Sequence, residues 1–181
     1  LIDYLKWRVS WGRVGSDTGS STRFMYMPGV WTQSSTYSFG VSNPTGSQAY
    51  TLGTPGNIDV SWETADKQNY GIDLKMLKNR LSFSFDYFTE KRTGILISPN
   101  STPSIIATGL PNLNLGKVDN HGYEISLGWD HTLDNGIRYY ANANMSFARN
   151  KIIYMDEIPN KYDYMNQTGG STERPANVYK Y

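Results

Sequence analysis

Apolar and polar residues alternate one for one in five stretches of the chain. The apolar members are Leu5, Trp7, Val9 and Trp11; Tyr70, Ile72, Leu74 and Met76; Leu81, Phe83, Phe85 and Tyr87; Tyr123, Ile125, Leu127 and Trp129; and Ile137, Tyr139, Ala141, Ala143, Met145 and Phe147. Side chains on a strand point to opposite faces in turn, so each stretch predicts a strand with one apolar and one polar face. Helical periodicity is weak throughout. Alternation alone suits a soluble antiparallel sandwich as well as a membrane strand. Length favours the second, because these stretches run about 10–12 residues, near the span a tilted strand needs to cross a bilayer and above the usual sandwich strand.

The connections alternate between tight and long. Lys78-Asn79 and Asp134-Asn135-Gly136 are short, whereas 15–66, 92–118 and 150–181 are long and rich in Gly, Pro, Ser, Thr and Asn. Short periplasmic turns and long extracellular loops mark outer-membrane barrels. A two-residue turn at Lys78-Asn79 sets Met76 opposite Leu81, Leu74 opposite Phe83, Ile72 opposite Phe85 and Tyr70 opposite Tyr87. A three-residue loop with Gly136 in the left-handed position sets Trp129 opposite Ala141, Leu127 opposite Ala143, Ile125 opposite Met145 and Tyr123 opposite Phe147. A slip of one residue would move charges onto the apolar face, which fixes both registers. Carried outward, they set Asp66 opposite Lys91, Lys67 opposite Glu90, Thr64 opposite Thr93, Trp62 opposite Ile95 and Val60 opposite Ile97. In the second hairpin Asp119 meets Lys151 and Val118 meets Ile152. The expectation is a paired wall that continues above the bilayer.

Composition agrees. Of 181 residues, 14% are aromatic, including 14 Tyr and 5 Trp; 38% are hydrophobic and 18% charged. Ordinary domains hold about 45–50% apolar and about 25% charged residues. With 17 Lys and Arg against 16 Asp and Glu, the net charge of +1 lacks the basic excess that displaces counterions from nucleic acid. Cysteine is absent, which removes disulfides, thiolate-bound zinc and a thiol nucleophile. The chain begins at Leu1, inside a strand-like stretch, and about five strands cannot close a barrel of at least 8. It is expected to be a piece of a longer polypeptide, 1–181 forming one segment of a single barrel domain.

No catalytic set emerges, and no enzyme or cofactor is expected. His121 and His131 fall on the apolar face near strand ends, with no second ligand at metal spacing. Asp156, Glu157 and Asp163 match no cation loop. Gly12-Arg13-Val14-Gly15 lacks the strand-loop-helix context of a phosphate loop. Tyr70, Tyr87, Trp129, Tyr139 and Phe147 read as an interfacial girdle. Asp73, Lys75, Asp86, Glu124, Asp130 and Arg138 share the opposite, lumen-facing side. Trp31, Tyr37, Phe39, Tyr154, Tyr162 and Tyr164 sit in long loops, where a rigid scaffold carries binding surfaces; they are the candidate contacts for substrate or partner.

Specific runs point further. Leu5–Asp17 (LKWRVSWGRVGSD) resembles a strand and turn of the SusC/RagA family of TonB-linked outer-membrane transporters, with Ser16 where Asn is usual. Residues 57–97 resemble that family's barrel segment, in which Trp62-Glu63 precedes Gly71-x-Asp73, an Asn79-Arg80-Leu81 turn and an aromatic strand. Asn114, Gly116, Lys117, Asn120, Gly122 and Glu124 resemble the following strand entry. The inserts 18–56 and 98–112 match nothing in the family pattern. The resemblance implies a segment of a large plugged barrel in the outer membrane of a Gram-negative bacterium. It also implies import of oligosaccharide or peptide, a SusD-like surface lipoprotein as lid, and energy from a TonB complex through parts outside this segment. The rival reading is a soluble secreted β-sandwich that binds carbohydrate through exposed Tyr and Trp.

Overall fold

The computed structural model describes residues 2–17, 23–29, 31–40, 45–103 and 109–173. Seven strands follow in order: β1 (Ile2–Ser16), β2 (Thr32–Phe39), β3 (Thr45–Thr51), β4 (Glu63–Met76), β5 (Leu81–Ile97), β6 (Leu113–Thr132) and β7 (Arg138–Tyr154). Strands β1, β4, β5, β6 and β7 form one antiparallel five-stranded sheet in that spatial order, and β2 and β3 form a separate ribbon. The only helical turn among the described residues is a 3-10 turn at Asp163–Met165.

Both expected registers hold. Tyr70 faces Tyr87, Ile72 faces Phe85 and Leu74 faces Phe83; Ile125 faces Met145 and Tyr123 faces Phe147. The upward extension holds in part. Asp66 pairs with Lys91, Lys67 with Glu90 and Thr64 with Thr93, and Asp119 pairs with Lys151 and Val118 with Ile152. The expected pairs Trp62–Ile95 and Val60–Ile97 do not form. Strand β4 begins at Glu63, and Gly94 takes a left-handed φ of 72° where the β5–β6 register shifts. Such a bulge re-aims the strand, so the end of β5 pairs with β6 alone: Ile95 faces Gly116 and Ile97 faces Leu113.

The connections expected to be long loops are therefore partly strand, since β5, β6 and β7 run 17, 20 and 17 residues. The ribbon β2–β3 inside the first of them was not expected; its Ser, Thr and Gln residues carry no clean alternation.

The two turns match their sequences. Lys78 and Asn79 take φ of 60° and 62°, and Leu77 also lies at 58°. The Asn79 amide donates to Asp3 Oδ2 at 2.9 Å, which ties β1 to this turn. At the second turn the Leu133 amide donates to the Ile137 carbonyl at 2.8 Å, and Gly136 sits at φ 85°. A Cβ there meets nothing, so only backbone strain opposes substitution. Gly136→Ala is expected to destabilise by about 1–2 kcal/mol, and Gly136→Asn by much less; urea unfolding of the full-length protein reads both.

Candidate functional site: the two faces of the sheet and its outer loops

Across the five strands the apolar residues form continuous rows. Trp7, Ile72, Phe85, Ile125 and Met145 face one another in sequence, as do Leu5, Leu74, Phe83, Leu127 and Ala143. No hydrophobic residue among those described is buried, and Trp7, Val9 and Trp11 are at least 70% exposed. Leu127, Ala141 and Ala143 are exposed; Ile72, Leu74, Phe83, Phe85 and Ile125 are half-buried, as sheet neighbours make them. A sandwich would bury this face under a second sheet; no such core exists among the described residues.

Aromatics sit at both margins of the apolar face. Val9, Tyr70, Tyr87, Tyr123 and Phe147 form one row, with the Tyr123 and Phe147 rings stacked at 5.5 Å. Toward the turns lie Trp129 and the His131–Tyr139 pair, edge to face at 5.4 Å. The apolar band slides along the strands. On β1 it reaches Trp11, one row beyond Val9, whereas on β6–β7 it descends to Leu133 and Ile137. Hydrogen-bonded rows run perpendicular to the strands, so a level band crosses tilted strands on the diagonal.

The opposite face carries all six residues expected there: Asp73, Lys75, Asp86, Glu124, Asp130 and Arg138. Asp73 and Asp86 converge through a residue the sequence reading did not single out, Arg8. Its Nε lies 3.0 Å from Asp73 Oδ2 and its Nη2 2.8 Å from Asp86 Oδ2. Ser84 Oγ donates to Asp73 Oδ1 at 2.8 Å. Gly71 makes room: a Cβ there would come within 2.6 Å of Asp86 Oδ1 and 2.9 Å of the Arg8 guanidinium carbon. Arg8 thus serves two carboxylates, and Glu124 is the cross-strand neighbour of Asp86 on β6. The only sequence signal for Arg8 was its place on the polar face, because its partners lie across a pairing that spans the long insert. Asp130 and Arg138 form a separate two-pronged pair near the second turn, and Lys75 faces Ser82.

Above the upper aromatic row the sheet becomes ionic on both faces. Arg13 grips Asp66 with two hydrogen bonds, 2.6 and 2.9 Å, and this hydrogen bonding holds the Asp66 carboxyl below its ordinary range. On the other face Glu90 lies 2.6 Å from Arg92 Nε and 3.6 Å from Lys67 Nζ.

The candidate contact aromatics divide. Trp31 precedes β2 and Tyr37 lies within it, both about two-thirds exposed; the Phe39 side chain lies outside the described residues. Tyr154 ends β7, facing Lys117, so it is a strand residue and not a loop residue. Tyr162 and Tyr164 stack at 5.6 Å with planes 12° apart, and Lys161 Nζ stands 5.2 Å from the Tyr162 ring. Residues 24–58 contain no Asp, Glu, Lys or Arg.

Buried or half-buried polar side chains fix the outer segments to the wall. Asn57, only 6% exposed, donates to the Asn112 carbonyl at 2.9 Å. Asn114 bonds both the amide and the carbonyl of Ser61 and the Gly94 carbonyl. Asp156 accepts the Ser101 amide at 3.2 Å, and its hydrogen bonds to Ser101, side chain first and then backbone, hold its carboxyl below the ordinary range. A depressed carboxyl stabilises its anchored state above the ordinary carboxylate pKa, and that contribution is lost as pH falls through the lowered value. Protection of the Ser101 amide, the slowing of its exchange relative to the intrinsic rate at the same pH, should therefore be high at neutral pH and fall in acid. Asp156→Asn should remove the pH dependence; an unchanged acid profile in that variant would refute the assignment.

The TonB dependent receptor-like, beta-barrel family matches residues 1–180. TonB-dependent receptor P39 of Formosa agariphila is 30% identical over 132 residues, which is 70% of this chain and 12% of that protein. TonB-dependent receptor P26 of the same organism is 25% identical over 149 residues, covering 82% of this chain and 14% of its own length. The chain thus spans about an eighth of the relatives it matches. The RagAB peptide importer in its "open-open" state superposes on 89% of this chain and 16% of its own, with a TM-score of 0.65 and 24% identity. A second structure of the RagAB peptide transporter gives 0.60 at 23% identity, over 83% of this chain and 16% of that one. The likeness to these structures is one of fold: an antiparallel sheet cut from a large barrel wall.

Proposed function

This chain belongs to the TonB dependent receptor-like β-barrel family, and we propose that it supplies wall and outer loops to an outer-membrane importer of a Gram-negative bacterium. The observation that carries the reading is the unpacked apolar face running across five strands, backed by an ionic and hydrogen-bonding face. Residues 1–181 form one segment of a single barrel domain. The apolar face meets lipid, with Tyr70, Tyr87 and Phe147 at one interface and Trp129 and Tyr139 at the other. Asp73, Lys75, Asp86, Glu124, Asp130 and Arg138 face the lumen, where the Arg8 group braces the wall beside a plug. The long segments are extracellular. Their charge-free stretch and exposed Trp31 and Tyr37 suit a neutral, hydrogen-bonding cargo, an oligosaccharide or a peptide, and a SusD-like lipoprotein as lid. Tyr162 and Tyr164 add a second exposed aromatic surface. The segment performs no chemistry; energy comes from a TonB complex acting on other parts of the importer.

Protease added to intact cells should cut within 18–56 or 98–112, and the bound lipoprotein should protect those sites. Cleavage only after the outer membrane is opened would reverse the topology.

A further inference from the structure

The outward face carries a basic cluster that outnumbers the acids beside it. One row above the aromatic margin lie Gln68, Thr89, His121 and Arg149, and the row beyond reads Arg13, Asp66, Lys91, Asp119 and Lys151. On the β1–β4 side Arg13 and Asp66 satisfy each other. On the β5–β7 side Lys91, Arg149 and Lys151 are all exposed. They have no ion-pair partner within 4 Å among the described residues. Asp119 stands between Lys91 and Lys151 in the row, and Asp66, on the other side of Lys91, is held by Arg13 and also feels the Lys91 charge. With Arg13 and Asp66 included, four fixed cations meet two carboxylates, which leaves an excess of positive charge, with His121 beside them.

Place and spacing fix what the patch can bind. Strands lie about 4.8 Å apart and alternate residues about 7 Å apart along a strand. Lys91 and Lys151 therefore stand about 10 Å apart, with Arg149 below Lys151 on the membrane side. The side chains are long enough to converge on one tetrahedral anion. Tyr87, Tyr123 and Phe147 lie directly beneath, at the level where a bilayer gives way to headgroups. Below them β7 offers Met145, Ala143 and Ala141, a narrowing column that leaves space for an acyl chain against Leu127 and Trp129. Arginine and lysine in this setting recognise phosphate through charge-assisted hydrogen bonds.

Resting on the barrel reading above, we propose that Lys91, Arg149 and Lys151 form a site for the phosphorylated headgroup of an outer-leaflet lipid. The lipid would clamp the upper ends of β5, β6 and β7 against one another from outside the barrel. It would also reinforce the wall that bears the loops.

The test uses the full-length transporter, stripped of lipid in neutral detergent and titrated with three probes: lipid A carrying both phosphates, the same lipid dephosphorylated, and inorganic phosphate. Native mass spectrometry reads occupancy. The phosphorylated lipid is expected to bind, and the combined Lys91→Gln, Arg149→Gln and Lys151→Gln variant to bind it at least about tenfold more weakly. The charge-preserving set Lys91→Arg, Arg149→Lys and Lys151→Arg should retain binding. If the triple Gln variant does not fold, Lys151→Gln and Arg149→Gln singly should each weaken binding. Equal binding of the phosphorylated and dephosphorylated lipids overturns the proposal, as does undiminished binding by the Gln variants. Inorganic phosphate bound as tightly as the lipid would make this a free-anion site and also overturn it. Failure of the barrel reading would look different: the protein would hold no heat-resistant fold in detergent, whichever lipid was added.

Discussion

Replacing Gly122 by Val is expected to keep the full-length protein from reaching its folded form. Gly122 is buried on the polar face of β6, between Phe88 on β5 and Ala148 on β7. The tip of the Phe88 ring closes on it. A Cβ at this position would overlap the Phe147 carbonyl oxygen, stand 2.6 Å from Phe88 Cζ and 3.0 Å from Ala148 Cα. Two of those three neighbours are backbone, so the β6–β7 ladder itself would have to part. Overpacking costs typically 1–3 kcal/mol, and with backbone on two sides the loss should be about 3 kcal/mol or more. Gly128, on the same strand and face, is the control. A Cβ there meets Ser82 Oγ and Asn142 Oδ1, side chains that can turn away. Gly128→Ala should stay within about 1 kcal/mol. The urea midpoint and the heat-resistant fraction of the full-length protein measure both. A Gly122→Val protein as stable as Gly128→Ala would mean that Phe88 and β7 do not close on Gly122 as described.

Gly122 also shows where the sequence was legible and where it was not. Its place in the alternation and its resemblance to a family strand entry were visible; the ring of Phe88 above it was not, because Phe88 is an apolar residue on a polar face. Alternation fixes a face and a tight turn fixes a register, so every pair between Met76–Leu81 and Thr64–Thr93 could be counted outward from Lys78-Asn79. Counting failed at Gly94, where a left-handed residue inserts a bulge that no residue count anticipates. Pairings that bridge long connections were equally hidden. Strand β1 meets β4 across the insert that holds β2 and β3, and that pairing alone brings Arg8 to Asp73 and Asp86. The anchors Asn57, Asn114 and Asp156 act on backbone groups far along the chain, and single Asn or Asp residues in Gly-rich segments give no sign of that.

The decisive contrast lies between the two faces of the central strands. Phe85 is in the middle of the apolar rows, flanked by Ile72 on β4 and Ile125 on β6, two rows from the turn side and one from the Tyr70–Tyr87 row. Phe85→Arg places a guanidinium in the apolar band, at a cost of about 2–4 kcal/mol if that band lies at the bilayer midplane. Ser84, the adjacent residue on the other face, is a poor comparison, because it hydrogen-bonds Asp73 and lies 3.4 Å from Arg8 Nη2; an arginine there would crowd a like charge. Ser126 faces Ser84 from β6, is exposed and has Asn144 as its other neighbour. Ser126→Arg should change stability by no more than about 0.5 kcal/mol. Unfolding of the full-length protein in lipid vesicles gives the two values directly. Equal losses would mean that lipid does not cover the face bearing Phe85, and the barrel-wall reading would fall with it. A large loss for Phe85→Arg beside a small one for Ser126→Arg is what a sheet with lipid on one side and a polar lumen on the other must give.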